Sequence, residues 1–339
     1  MPYFNEHLGI ITPSERLSPH GIGLQREITG LFAQYNKTIT GYRVNKSIMW
    51  AHEDLTATIL DYCIDVKNEL MFVVAQSYVK CLSLKTGNQL WKVVVNGMLK
   101  VACAPKSQFL FLVANNVIYK YDYHFNWLNQ VALNNPPGSV HVDETNGFVI
   151  VTMAEASSGS TYRIKKLNLA LDVIYTHSSS NEFRRTAISR DRQYLYGLIY
   201  ETVYKFDLNN QTYTPINLTA NWLPNVIDDD GFIYAASYSV NTKLMQLSKY
   251  DLINKKRIYL STVLRNTHTA LISYAYMTQD IYNVYVAVNN YGRNNVGILN
   301  EIYVLDKETG SLVDTIKLNP DIYVADNYMK IFHTYEYLR

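Results

Sequence analysis

Beyond residue 38 the chain alternates two kinds of segment, each an apolar run broken by a small polar cluster. The first kind reads strand, polar turn, strongly apolar strand. Its copies are IDVKNELMFVVA (64–75), CAPKSQFLFLVA (103–114), VDETNGFVIVTM (142–153) and ISRDRQYLYGLI (188–199). IDDDGFIYAAS (227–237), MTQDIYNVYVAV (277–288) and VADNYMKIFHTY (324–335) complete the series. The runs LMFVVA, FLFLVA and FVIVTM lack period-two alternation, which predicts strands covered on both faces.

The second kind ends a strand in a short polar residue and turns. It is seen in YRVNKSIMW (42–50), LSLKTGNQLW (82–91), KYDYHFNWL (120–128) and KLNLALDVI (166–174). KFDLNNQTY (205–213), KYDLINKKRIYL (249–260) and VLDKETGSLV (304–313) follow. The turn residues are Asn45, Ser83, Asp122, Asn168, Asp207, Asp251 and Asp306, with successive differences of 38, 39, 46, 39, 44 and 55. Short Asp, Asn and Ser side chains suit these places because they can accept a hydrogen bond from backbone two residues on. In LSLKTGNQLW, Gly87 supplies a position where φ can be positive without steric penalty.

Alternating the two series gives a four-stranded antiparallel unit of roughly 40–45 residues, the blade of a β-propeller. Each series has seven members, so the fold class expected is all-β: a single β-propeller of seven four-stranded blades. The chain enters on an outer hairpin (39–54) and leaves on an inner hairpin (322–337). These two halves are expected to pair as one blade, closing the ring and hiding strand edges that would otherwise invite aggregation. No stretch past residue 30 sustains a helical period.

The segment VVAQSYVKCLSLKTGNQLW (73–91) resembles one repeat of the PQQ-like quinoprotein propellers, in the Ala after its inner strand, the LSLKTG turn and the closing Trp91. IYVLDKETGSLV (302–313) is a shorter match, and the other blades keep the strand–turn skeleton that WD-type propellers share. Quinoprotein dehydrogenases of that kind would imply eight blades, bound PQQ, calcium ligands and a vicinal cysteine pair. Cys63, Cys81 and Cys103 are not adjacent, and seven blades are expected, so that activity is set aside and no cofactor is expected.

Charge changes the picture little. There are 31 basic and 29 acidic residues, a net charge of +2, without a basic block that would mark nucleic-acid binding. No apolar run is long enough to span a bilayer, and the first residues do not read as a signal peptide, so a cytoplasmic or virion-associated protein is expected. The cysteines are expected to be reduced thiols packed as small apolar groups.

Chemistry is sparse. The histidines do not stand at metal-ligand spacing; His177 and His268 fall near blade connections, where solvated or hydrogen-bonded loop histidines are expected, with a joint approach to the channel as the alternative. The acidic cluster Asp228–Gly231 is expected to be a hairpin turn rather than a metal site. Three loops, 154–161, 237–243 and 289–301, are longer than the rest and belong to the loop-rich face. Tyr238, Asn241, Asn289, Asn290, Tyr291, Arg293, Asn294 and Asn295 supply adaptable hydrogen bonds and aromatic anchors, and form the candidate binding surface.

Residues 1–30 fit no blade. Pro2, Pro13 and Pro19 break regular structure, yet Tyr3, Phe4, Leu8, Ile10 and Ile11 are too apolar for a solvated tail. This arm is expected to dock, on its own ring or on a neighbouring subunit, with residues 31–339 forming the propeller. The expected function is a non-enzymatic platform for protein partners, in a homo-oligomer or a larger assembly. The composition, with 29 tyrosines and abundant Asn, resembles that of phage tail components that carry propeller domains, which would imply a role in virion assembly or receptor binding. Two alternatives stand beside it: a calcium-dependent lactonase or hydrolase, and a carbohydrate-binding propeller, although Trp127 and Trp222 occupy different places in their blades.

Overall fold

The computed structural model describes residues 30–333 apart from 36, 44, 55, 134, 136, 154–161, 180–182, 200–201, 220–224, 230, 240–243, 266–270, 292–299 and 318–328. Within them the chain forms strands β1 (Gly30–Tyr35), β2 (Thr38–Arg43) and β3 (Ile48–Glu53), which belong to blade 1. Blade 2 comprises β4 (Ile59–Asp65), β5 (Leu70–Ala75), β6 (Tyr78–Ser83) and β7 (Gln89–Val94). Blade 3 comprises β8 (Met98–Ala104), β9 (Phe109–Ala114), β10 (Val117–Asp122) and β11 (Trp127–Ala132). Blade 4 is β12 (Pro137–Asp143), β13 (Phe148–Met153), β14 (Tyr162–Asn168) and β15 (Val173–Ser179). Blade 5 is β16 (Arg184–Ile188), β17 (Tyr194–Ile199), β18 (Thr202–Asp207) and β19 (Tyr213–Thr219). Blade 6 is β20 (Asn225–Asp229), β21 (Phe232–Ser239), β22 (Leu244–Asp251) and β23 (Lys256–Arg265). Blade 7 is β24 (Leu271–Gln279), β25 (Asn283–Tyr291), β26 (Asn300–Asp306) and β27 (Leu312–Lys317), after which β28 (Met329–His333) returns to blade 1.

The chain is a seven-bladed β-propeller. In every blade the strands run antiparallel from the axis outward, and no helix is found among the described residues. The second strand of each blade is sandwiched between the sheets on either side, which is why the runs LMFVVA, FLFLVA and FVIVTM are buried almost throughout. Seven apolar clusters result among the described residues, one at each junction between neighbouring blades. Outer strands such as β7 and β11 are mostly exposed, as expected of strands with a single hydrogen-bonded neighbour.

Ring closure departs from the sequence expectation in detail. The two ends of the chain do share a blade, but the order β28–β1–β2–β3 takes three strands from the N-terminal part and one from the C-terminal part, not two from each. The sequence of β1, GLFAQY, lacks the unbroken apolar run of β5, β9 and β13 because Gln34 interrupts it. Gln34 is nonetheless buried, and its Nε2 donates to the Ile59 carbonyl of blade 2 at 2.7 Å. The strand thus behaves like the other second strands, its polar group paired across a blade junction instead of exposed to water.

Both turn series lie on one end of the ring, the turn face, and the remaining connections on the other, the loop face. All seven turn residues of the outer series engage the local backbone or its side chains as expected. A regularity beyond that expectation is Asp followed three residues later by Asn. At Asp65/Asn68, Asp143/Asn146, Asp207/Asn210 and Asp251/Asn254, one carboxylate oxygen accepts the Asn backbone N–H and the other its Nδ2. Asn210 and Asn254, with neighbouring backbone N–H groups, hold Asp207 and Asp251 below the ordinary carboxylate range. In blades 3 to 6 a Lys two residues before the outer turn lies over an aromatic ring of the second strand: Lys120 over Phe109, Lys166 over Phe148, Lys205 over Tyr194 and Lys249 over Phe232.

The LKTG turn of blade 2 docks on blade 1. Trp50 Nε1 donates to the Leu84 carbonyl at 2.8 Å, and Gly87 has φ +71° with the Trp50 ring 2.7 Å from where a Cβ would stand. Gly147 has a comparable φ of +73° but nothing within 4 Å. Gly147→Ala is therefore expected to lower stability by about 1 kcal/mol, from backbone strain alone. Gly87→Ala, which must also displace Trp50, should lose about 2 kcal/mol or more in urea unfolding. Equal losses would mean that this turn does not pack on Trp50.

Candidate functional site

The loop face is not level. In blades 2 to 4 the second strands β5, β9 and β13 have six residues, whereas β21 has eight and β25 nine. Their turn-face ends are in equivalent register: Phe232 pairs with Asp251, and Asn283 with Asp306, as Phe109 pairs with Asp122. The extra residues therefore stand at the loop end, raising blades 6 and 7 by about 7–10 Å at ~3.3 Å per residue. Tyr238 and Asn289, Asn290 and Tyr291 occupy these raised ends. They are strand residues, not loop residues as their composition suggested, because pairing continues through Tyr238 with Met245, Asn289 with Asn300 and Tyr291 with Leu271. The two groups sit on the same strand position of adjacent blades. Asn241, Arg293, Asn294 and Asn295, with loop 154–161, lie outside the described residues, as do the arm residues Tyr3, Phe4, Leu8, Ile10 and Ile11.

A second feature of this face was not legible from sequence. Asp54 follows β3 of blade 1 and is met by two side chains of β6 in blade 2: the Lys80 ammonium and the Tyr78 hydroxyl both donate to its Oδ2. Its Oδ1 accepts from Thr56 N at 2.8 Å and Thr56 Oγ1 at 2.7 Å. Lys80 Nζ is also 2.9 Å from His52 Nε2, and Lys92 covers the Tyr78 ring at 3.9 Å. Burial alone would raise Asp54, but the bonds from Lys80, Tyr78 and Thr56 prevail and hold it well below the usual carboxylate range. Burial lowers Lys80 more than Asp54 raises it, and burial together with the Lys80 charge lowers His52. The Lys80 and Asp54 side chains are only 2% and 4% exposed, so the charged pair itself is closed off from water. It is an interlock between the closing blade and the next one.

Of the remaining candidates that the structure describes, His177 and Trp127 lie on outer strands, away from the axis. His177 is neither the solvated loop residue expected nor at the channel: it lies on the outer strand β15, packed against Phe206 and Tyr213 of blade 5, because its alternation places it on the face that meets that blade. His268 and Trp222 lie outside the described residues. Asp228 and Asp229 end β20 and Gly231, with φ +87°, leads into β21, the hairpin turn expected of that cluster. Trp127 is exposed on the outer edge at the turn-face end of β11, away from the loop face. The three cysteines are free thiols, and among the described residues no group of three His, Cys, Asp or Glu side chains is placed to hold a metal ion.

No family model matches the sequence, and no curated protein matches it. Many solved structures are similar to this chain, including two that match over most of its length. The dihydro-heme d1 dehydrogenase NirN in complex with DHE superposes with a TM-score of 0.62 at 11% identity, over 89% of this chain and 67% of its own. A functionally unknown protein from Desulfotomaculum acetoxidans DSM 771 gives a TM-score of 0.62 at 14% identity, over 90% of this chain and 99% of its own. At these identities the likeness is one of fold: both match a β-propeller.

The interlock has a sign. Asp54→Ala leaves the buried Lys80 ammonium without its counter-ion and is expected to lower stability by about 3–5 kcal/mol. Replacing Asp54 and Lys80 together by Leu and Met should lose much less. Because the folded carboxyl is held low, its contribution is complete above about pH 4 and is lost as pH falls towards its depressed value. Denaturant midpoints of wild type and Asp54→Asn should therefore converge below about pH 4. A constant gap down to pH 2 would show that Asp54 does not titrate with folding.

Proposed function

We propose that this propeller is a non-catalytic platform that binds protein partners through the raised ends of blades 6 and 7. The observation that supports this reading most directly is the placing of Tyr238 and Asn289–Tyr291 on equivalent, extended strands of neighbouring blades. Tyr and Asn side chains give large contact area and adaptable hydrogen bonds, and strands fix their backbone before a partner arrives, which lowers the ordering entropy of binding. The wall faces away from the turn face, so a partner can dock without disturbing the turns that hold the blades together.

The Tyr- and Asn-rich composition supports placing such a platform in a larger protein assembly, of which a virion tail is the specific case suggested by resemblance. Arg293, Asn294, Asn295 and Asn241 extend the same surface in sequence, and are assigned to it on that ground.

A double variant, Tyr238→Ala with Tyr291→Ala, tests the reading. Its thermal midpoint should match wild type within a few degrees, since both residues are at the loop-face ends of their strands. Its affinity for the partner that co-purifies with the full-length protein from its native source should fall at least about tenfold, the effect of losing one or two aromatic anchors. Unchanged affinity would remove the wall from the binding surface. Native mass spectrometry of protein purified without chelator gives the complementary result: a calcium ion retained through desalting, with a thermal midpoint that rises on adding calcium, would support a hydrolase instead.

A further inference from the structure

The outer edge of the ring carries a repeated defect. In six of the seven blades the outer strand begins with a β-bulge, and the residue left without a pairing partner is aliphatic each time. In blades 1, 2 and 3 it is Met49, Leu90 and Leu128; in blades 4, 6 and 7 it is Ile174, Ile258 and Val313. Five of the six are between 44% and 55% exposed, and their neighbours Ile48 and Trp127 are each 60% exposed. Single exposed apolar residues are ordinary, and a bulge by itself guards an edge against pairing. Edge protection does not explain the side chains, however, since it is commonly achieved with Lys or Pro. Blade 5 shows that alternative: it has no bulge here, and its outer strand carries Pro215 opposite Tyr204. The result is an apolar belt around the rim near the turn face, interrupted at one blade.

We infer that the segment 1–29 of the same chain docks along this belt, beginning at the edge of blade 1. Three observations point there. First, the segment joins the ring at the right level. β1 starts at the turn-face end of its blade, where a side chain at Gly30 would strike the Tyr42 carbonyl 1.9 Å away, so the chain enters tightly against β2, the strand next to the exposed belt residue Ile48. Second, the segment carries what the belt would bury: Tyr3, Phe4, Leu8, Ile10, Ile11 and Leu17. Third, it is long enough. Twenty-nine residues extend to about 95 Å at ~3.3 Å each, sufficient to cross several blade edges. A tethered segment meets the surface at an effective concentration in the millimolar range, which favours its own ring over that of another molecule. The bulges set the mode of binding: they break the edge ladder, so the contact is by side chains along the outer strands and not by an added strand. This inference is independent of the loop-face reading, which concerns the opposite end of the ring.

The test is photo-crosslinking in the full-length protein, with p-benzoylphenylalanine in place of Leu8 and an equal mixture of nitrogen-14 and nitrogen-15 chains. Crosslinks within one chain to residues 48–53, 89–94 or 312–317 are expected. In the background of Ile48→Lys, Leu90→Lys and Val313→Lys their yield should fall at least fivefold. The thermal midpoint should move by only a few degrees, because these side chains are on the surface. In parallel, amides 3–11 should exchange hydrogen more slowly in wild type than in the triple variant. Crosslinks to the loop face, crosslinks between isotopically different chains, or exchange of amides 3–11 at the rate of unstructured peptide would each overturn the inference.

Discussion

Everything in this ring rests on the junctions of blade 1, the one blade whose strands are not contiguous in the chain. Six blades are local, each folding from a stretch of about 40 residues, but none buries its second strand until it has a neighbour on either side. The neighbours of blade 1 are accordingly tied by several kinds of interaction. On the blade 2 side, the Phe32–Trp50–Tyr62 cluster is flanked by the Asp54–Lys80 interlock at the loop face and by Trp50 on the LKTG turn at the other. Tyr62 also donates from its hydroxyl to the Phe32 carbonyl at 2.9 Å. On the blade 7 side, Leu31, Ala33 and Ile331 pack with Tyr285 and Ile302, and Lys46 pairs with Asp314 at the rim.

The buried interlock is better understood as a device for register than as a source of net stability. Moving a lysine and an aspartate out of water loses hydration that their attraction only partly restores, so an apolar pair of similar volume serves stability about as well. What an apolar pair lacks is direction. Asp54 accepts from Lys80, Tyr78 and Thr56 at once, and that set of partners is satisfied in a single placement of the 54–58 connection against β6.

How far the fold was legible follows from the range over which each signal acts. The turn residues, the positive-φ glycine at 87 and the unbroken apolar runs are local, and each was read correctly from the chain itself. Strand β1 was missed because Gln34 breaks its apolar run, and the reason a Gln is tolerated there lies 25 residues away at Ile59. The Asp54–Lys80–Tyr78 cluster joins residues of different blades, so spacing along the chain carries no trace of it. The Lys placed two residues before each outer turn in blades 3 to 6 was visible as K-x-D or K-x-N, yet its aromatic partner becomes evident only once the antiparallel register is known. The strand character of Tyr238 and Asn289–Tyr291 was hidden for the opposite reason: Asn and Ser are poor strand formers, and pairing with a neighbour overrides that preference.

The three-plus-one construction of blade 1 also has a consequence in time. While the protein is being synthesised, the inner edge of β1 has no partner until residues 329–333 leave the ribosome. At about 5–20 residues per second, that edge stays open for roughly a quarter of a minute to one minute after β3 is complete. For that interval the nascent chain is an unclosed arc, and the strand that seals it is five residues long. Completion of the ring is therefore paced by translation, and the chain must keep the backbone of β1 from pairing elsewhere until its last strand arrives.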